Sequence, residues 1–235
     1  MHQRLRSAPT VVYPESDGQP MAETPRHQQV MIDCMNVLRR HFYKIPEVYI
    51  GGNMLLYYEE GNPRKSVSPD VFMVRGVSKK ELRVYKTWEQ HPTLDFVLEV
   101  ASPSTVRKDL GEKKELYANV LKVREYYIYD PYHEVEPSFI GFRLVGGMYE
   151  EIEFVNDRLV SEQLGLELGE HEDTLRLYDP MNGTWLPTSD ERADAAEARA
   201  EGEARARQVA EARAAAAETE LAELRAVLER LQASE

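Results

Sequence analysis

Two acids and a lysine carry the strongest chemical signal in this chain of 235 residues. Glu99 interrupts the otherwise nearly apolar run Leu94-Asp-Phe-Val-Leu-Glu-Val100. A carboxylate in a core strand is expensive to desolvate unless it is paired or bound to metal. Asp70 follows Pro69 at the mouth of a second apolar run, Asp70-Val-Phe-Met-Val74. If these two strands pair antiparallel, the start of one lies opposite the end of the other, and Asp70 and Glu99 share one end of the sheet. Adjacent carboxylates repel unless a cation neutralises them. Oxygen ligands with no His or Cys nearby point to Mg2+ or Mn2+ rather than zinc. Asp109, Lys113 and Tyr117 are spaced by four and share one helical face, so Lys113 can bring an ammonium to the carboxylates. A purely structural account also fits. Asp70 then accepts turn hydrogen bonds, Glu99 sits in a salt bridge, Tyr117 fills core, and Lys113 pairs with Asp109 for roughly a few tenths of a kcal/mol.

The elements that must position these groups read as mixed α/β. Residues 1–20 form an irregular arm. Thr24 caps and Pro25 opens a helix running to about Phe42, with apolar Val30, Met31, Cys34, Val37, Leu38 and Phe42 at spacings of three and four. Pro46 ends it. Val48–Ile50 and Met54–Tyr58 are strands flanking Gly51-Gly52-Asn53, a turn signal. Residues 78–90 read as loop or short helix. After the strand carrying Glu99, Ser102-Pro103-Ser104-Thr105 breaks the sheet and caps a helix over about Val106–Val120. Tyr126–Tyr129 is a buried strand stopped by Asp130-Pro131. Ser138–Val145 and Met148–Phe154 form a hairpin across Gly146-Gly147, and short strands and turns continue to Pro187.

Composition changes at Asp190. From there to Glu235 the chain has no proline, no aromatic residue and one glycine, Gly202. Leu221, Leu224, Leu228 and Leu231 alternate by three and four, the seam of a coiled coil. Extended backwards, the seam meets alanines and then Arg207 and Glu203, so it is apolar only in its last heptads. The expected organisation is an arm (1–20), a catalytic domain (21–187) and a helical coil (190–235). Cys34, the single cysteine, excludes a disulfide framework and a multi-cysteine zinc site. No apolar run suits a membrane span and the first residues do not resemble a signal peptide, so a cytoplasmic location is expected. The net charge of −12 argues against a surface that coats nucleic acid uniformly, but leaves room for one basic cleft.

Four ordered blocks now bear on identity: Ser68-Pro-Asp70-Val-Phe-Met-Val74; Phe96-Val-Leu-Glu99-Val-Ala-Ser102-Pro-Ser-Thr105; Asp109-x3-Lys113-x3-Tyr117; and Glu125-Tyr-Tyr-Ile-Tyr-Asp130-Pro131. Over roughly residues 11–180 the chain resembles the Uma-two family of restriction-endonuclease-like proteins, a branch of the PD-(D/E)XK nucleases. Asp17-Gly-Gln-Pro-Met-Ala-Glu23-Thr24 is similar to the start of that family. The resemblance implies a mixed sheet flanked by helices, with Asp70 and Glu99 holding the metal. The superfamily's usual lysine stands two residues after the second acid; here that place is Ala101, and Lys113 on the next helix takes its role. Glu23 matches an accessory acid that holds metal through water.

The implied reaction is hydrolysis of DNA phosphodiesters. Asp70, Glu99 and the carbonyl of Val100 bind Mg2+ or Mn2+, and Lys113 orients water or stabilises charge on phosphorus. Arg64, Lys65, Arg107, Lys108 and Lys114 join Lys113 in a positive rim for DNA. A homodimer is expected, since cutting both strands needs two sites and the coil can pair chains. Two other functions remain open. One is an inactive nuclease-fold scaffold that oligomerises through its coil. The other is a phosphoesterase acting on RNA or nucleotides. His27 lies on the first helix and His91 and His133 in turns, without a Cys or Ser partner at a telling spacing, so histidine-based nucleophilic catalysis is not indicated.

Overall fold

A computed structural model describes residues 11–16, 18, 23–91 and 93–232. Most of the expected arm, and most of the block from Asp17 to Glu23, lies outside the described residues. The chain divides into two units, residues 1–186 and 187–235.

The first unit is α+β. Helix α1 (Pro25–His41) begins where Thr24 Oγ1 accepts the His27 amide at 3.3 Å, and it ends at Phe42. Its buried stripe of Val30, Met31, Cys34, Val37 and Leu38 is the one its spacing predicts. The main sheet has the strand order β1-β4-β6-β7-β8-β9: β1 (Val48–Gly51), β4 (Val71–Arg75), β6 (Phe96–Val100), β7 (Glu125–Tyr129), β8 (Phe139–Val145) and β9 (Met148–Glu151). The expected antiparallel pairing of the two acid-bearing strands is present, with Val71 opposite Leu98; β6 and β7 run parallel.

Strand alternation divides the core. On one face Val71, Met73, Phe96, Leu98, Val100 and Tyr127 pack against α1 and the leucines of a second sheet. On the other, Phe72, Val74, Val97, Tyr126 and Ile128 pack against Leu56, Tyr85, Tyr117 and Leu121. The second sheet is an antiparallel meander, β10 (Phe154–Val155), β11 (Arg158–Ser161), β12 (Leu166–His171), β13 (Thr174–Asp179) and β14 (Thr184–Trp185). A small third sheet joins β2 (Leu56–Tyr57) to β3 (Ser66–Val67) and, in parallel, to β5 (Tyr85–Lys86). The strands either side of Gly51-Gly52-Asn53 therefore belong to different sheets, and residues 78–90 contain a short strand rather than a helix.

The expected helix over 106–120 is broken into α2 (Val106–Lys108), a π turn (Asp109–Lys113) and α3 (Lys114–Asn119). Thr105 does not cap its first turn with a side chain. Its hydroxyl accepts the Ser102 amide instead, at 3.0 Å, which tightens the bend off the sheet.

The second unit holds the helix α4 (Ser189–Gln232), 44 residues long. A capping box starts it: Glu191 N–H donates to Thr188 Oγ1 at 3.3 Å, and Thr188 N–H to Glu191 Oε2 at 2.7 Å. Leu221, Leu224 and Leu228 are all at least half exposed, so these positions of the leucine seam are open to solvent. Among the described residues no helix is long and apolar enough to cross a membrane.

Candidate active site

The register of β4 and β6 brings the two acids together. Continued by one residue beyond Val71–Leu98, it sets Asp70 opposite Glu99 on the sheet face turned toward α3. The backbone locks the pair: Val100 N–H donates to Asp70 Oδ2 at 2.7 Å, and Asp70 N–H approaches Glu99 Oε2 at 3.4 Å. Val100 thus meets Asp70 through its amide. Gly52 sits so close to this point that a Cβ there would lie 2.2 Å from the Asp70 carbonyl oxygen. Only a glycine lets the chain after β1 cross here, and Asn53 N–H then donates to the Pro69 carbonyl at 2.9 Å.

Glu99 is fully buried. Tyr117 OH donates to its Oε1 at 2.5 Å, and the Lys113 ammonium lies 2.9 Å from its Oε2. Lys113 also lies 2.9 Å from Oδ1 of the buried Asp109. The i, i+4 bridge and the approach to Glu99 are therefore made by one lysine at once. The π turn sets this geometry, and Tyr126 OH anchors it by donating to the Asp109 carbonyl at 3.0 Å. Π turns of this kind are frequent at functional sites.

Burial pushes the Glu99 carboxyl above the ordinary carboxylate range, and Asp70 and Asp109 push the same way, against the pull of Lys113. Burial also works against the charge of Lys113, but Glu99, Asp109 and Asp70 outweigh it and hold its ammonium above the ordinary lysine range. Lys113 is therefore a fixed cation at neutral pH and not a general base. Burial and Glu99 keep the Tyr117 phenol protonated, as a donor must be.

His27 was not expected here. Its Nε2 lies 3.6 Å from Asp70 Oδ2, and burial of the ring is outweighed by Asp70, Glu23 and Asp109, which raise its pKa. Glu23, His27 and Asp70 each bring one donor atom within 4.8 Å of the other two. The premise that no histidine is near the acids is thus corrected. Thr24 fixes the helix start, which places His27 in the first turn of α1. A Pro-x-His at a capped helix start is the signal that could have found it, but nothing in the sequence says which strand end that turn covers.

Two cavities adjoin the cluster. One of 570 Å3 is lined by Tyr58, Ser66, Ser68, Lys108 and Lys113. The other, of 370 Å3, is lined by Glu23, His27, Ser102, Thr105 and Tyr132. A third, of 480 Å3 beside β1, includes Arg39, Lys79 and Lys80 but none of the clustered acids. Of the expected rim, Arg107 and Lys108 are exposed on the helix that carries Lys113, and Arg64 and Lys65 are exposed on the turn before β3. Lys114 is placed differently. Its ammonium lies 3.5 Å from the centre of the Phe142 ring, turned away from Glu99, and burial lowers its pKa.

The model of the Uma2 family, described as "Putative restriction endonuclease", matches residues 2–177. The chain belongs to the Uma2 family. That range takes in every member of the acid cluster, and the match of the Uma2 model gives this α+β domain a nuclease-type family. Among solved structures, a putative nuclease belonging to DUF820 from Anabaena variabilis ATCC 29413 is similar over 64% of this chain and 81% of that chain, at 12% identity and a TM-score of 0.45. No curated protein matches this Uma2 chain.

Proposed function

We propose that this protein is a divalent-metal-dependent endonuclease that hydrolyses phosphodiester bonds in DNA. Residues 21–187 form its catalytic domain, and residues 190–235 form a coil that pairs two chains. The observation that carries the reading is the convergence of Asp70, Glu99 and Lys113 in one cluster, where Lys113 lines one cavity and His27, beside Asp70, lines another. The donor set suits a divalent ion. Glu99 and Asp109 share one lysine, Asp70 lies beside Glu99, and the buried Nε2 of His27 has no hydrogen-bond partner.

Asp70 and Glu99, with the Val100 carbonyl, would hold Mg2+ or Mn2+, and Glu23 would reach it through water. A divalent ion there supplies polarisation of a phosphate oxygen and a lowered pKa for water. Tyr117 and Lys113 fix Glu99 in one rotamer. The Lys113 ammonium, charged throughout the neutral range, stabilises negative charge developing on the phosphoryl group. Lys108, Arg107, Arg64 and Lys65 hold the flanking phosphates on an otherwise acidic body. Lys114, held against Phe142, takes no part in that rim. The exposed leucines of α4 support the dimer, since a leucine seam is buried by a second helix.

Supercoiled plasmid incubated with Mg2+ or Mn2+ tests the reading. Nicking by the wild-type chain that is lost in Glu99→Gln supports it. Equal cutting by Glu99→Gln, or none by the wild type with either ion, contradicts it. RNA and small phosphodiesters run alongside separate a DNA nuclease from a broader phosphoesterase.

A further inference from the structure

We infer that His27 is a nitrogen ligand of the metal site, which makes that site a mixed carboxylate–imidazole centre preferring Mn2+ to Mg2+. The inference rests on the metal-dependent reading above and adds a ligand and an ion preference to it.

Three observations carry it. First, His27 Nε2 is buried, has no hydrogen-bond partner, and stands 3.6 Å from Asp70 Oδ2, too far for a hydrogen bond. A buried ring nitrogen usually finds a partner. This one has the Asp70 carboxylate at ion-pair distance and that of Glu23 within 4.8 Å. Second, donor atoms of Glu23, His27 and Asp70 lie within 4.8 Å of one another. That is close to the spacing of donors sharing one ion, which stand roughly 3 to 4 Å apart at ligand distances of about 2.0–2.2 Å. Third, the imidazole is presented from a capped helix start. The Thr24 cap and Pro25 fix the first helical turn and hence the ring. The 370 Å3 cavity lined by Glu23 and His27 leaves room for water and a phosphate beside them.

The donor chemistry sets the preference. Mg2+ takes oxygen ligands and holds its waters, whereas imidazole suits transition ions and Mn2+ accepts both donor types. A simple imidazolium–carboxylate pair between His27 and Asp70 is the competing account, and it predicts no nitrogen on the metal.

Mn2+ is the probe. Pulsed EPR of the full-length chain loaded with Mn2+ is expected to show 14N coupling from one imidazole. In His27→Gln the coupling should vanish and Mn2+ affinity should fall at least about tenfold, the low end of what outer-shell partners alone contribute, with a smaller loss for Mg2+. Circular dichroism checks that the variant folds. Should it not, histidine-selective 15N labelling of the wild type reads the same nitrogen, and loss of Mn2+ binding in Asp70→Asn places it at this site. Bound Mn2+ that shows no 14N coupling, or nitrogen coupling that survives in His27→Gln, overturns the inference and leaves the nuclease reading standing. A wild-type chain that binds no Mn2+ takes down both.

Discussion

Two buried glutamates lie on neighbouring strands and differ in every respect that matters. Glu125 opens β7 on the face toward the second sheet; Glu99 lies near the end of β6, on the opposite face and at the opposite end. Both are fully buried. Glu125 is saturated. Arg143 donates to its Oε1 through Nε and Nη2, each at 3.2 Å, the Glu162 amide donates at 2.9 Å, and Ser161 and Tyr127 hydroxyls bond its Oε2. Arg143 serves this buried acid and the exposed Glu162 at once, and the remaining lone pairs of Glu125 are filled, so the site is closed and serves to join the two sheets. Around Glu99 the account does not balance. Glu99 and Asp109 share one lysine, and Asp70 has His27 at ion-pair distance. A buried acid is therefore weak evidence for a metal. A surplus of acids over bases, beside a cavity, is much stronger.

Substitutions sharpen that contrast. The largest expected effect is on catalysis: Asp70→Ala and Glu99→Gln should each lower the cleavage rate by at least about 10^3-fold, with an unchanged circular dichroism spectrum. Glu125→Ala should do the reverse. It should cost about 1–3 kcal/mol by leaving the buried Ser161 and Tyr127 hydroxyls and the Glu162 amide without their acceptor and Arg143 with Glu162 as its remaining carboxylate, read from the denaturant midpoint, while the folded fraction cuts at the wild-type rate. Equal loss of activity in both would erase the distinction. Tyr117→Phe removes one donor from Glu99 and should slow cleavage about tenfold with the fold retained. Cutting the chain before Pro187 should convert a dimer to a monomer by light scattering, leaving the spectrum of the sheet domain intact. The smallest effect concerns Cys34, whose thiol burial pushes up to about 12. It should stay unreactive toward thiol reagents at pH 8 until the chain is unfolded.

Much of this was readable from residues because the signals are local. Thr24-Pro25 marks a helix start, and the apolar runs ending in Val74 and Val100 are strands whose acids stand out against them. That Asp70 and Glu99 share a sheet end rests on antiparallel pairing, which the residues allow and the β4–β6 register supplies. The rest depends on tertiary contacts. His27 reaches Asp70 only because α1 lies across the sheet. The π turn needs Tyr126 from another strand to hold Asp109. For the second sheet the residues show only short strands and turns. Its hairpin at Glu172-Asp173 puts both residues at positive φ, 54° and 59°, and neither is glycine or asparagine, so the usual turn signature is missing. Lys114 follows Lys113 by one residue, and the helical turn between them is enough to place it on Phe142.

The most direct test of the central claim is an anomalous difference map from crystals soaked in Mn2+. The account predicts one strong peak within about 2.0–2.3 Å of a carboxylate oxygen of Asp70, lost in crystals of Asp70→Ala. A peak lodged elsewhere, or none at occupancies that Mn2+ reaches in solution, would contradict it.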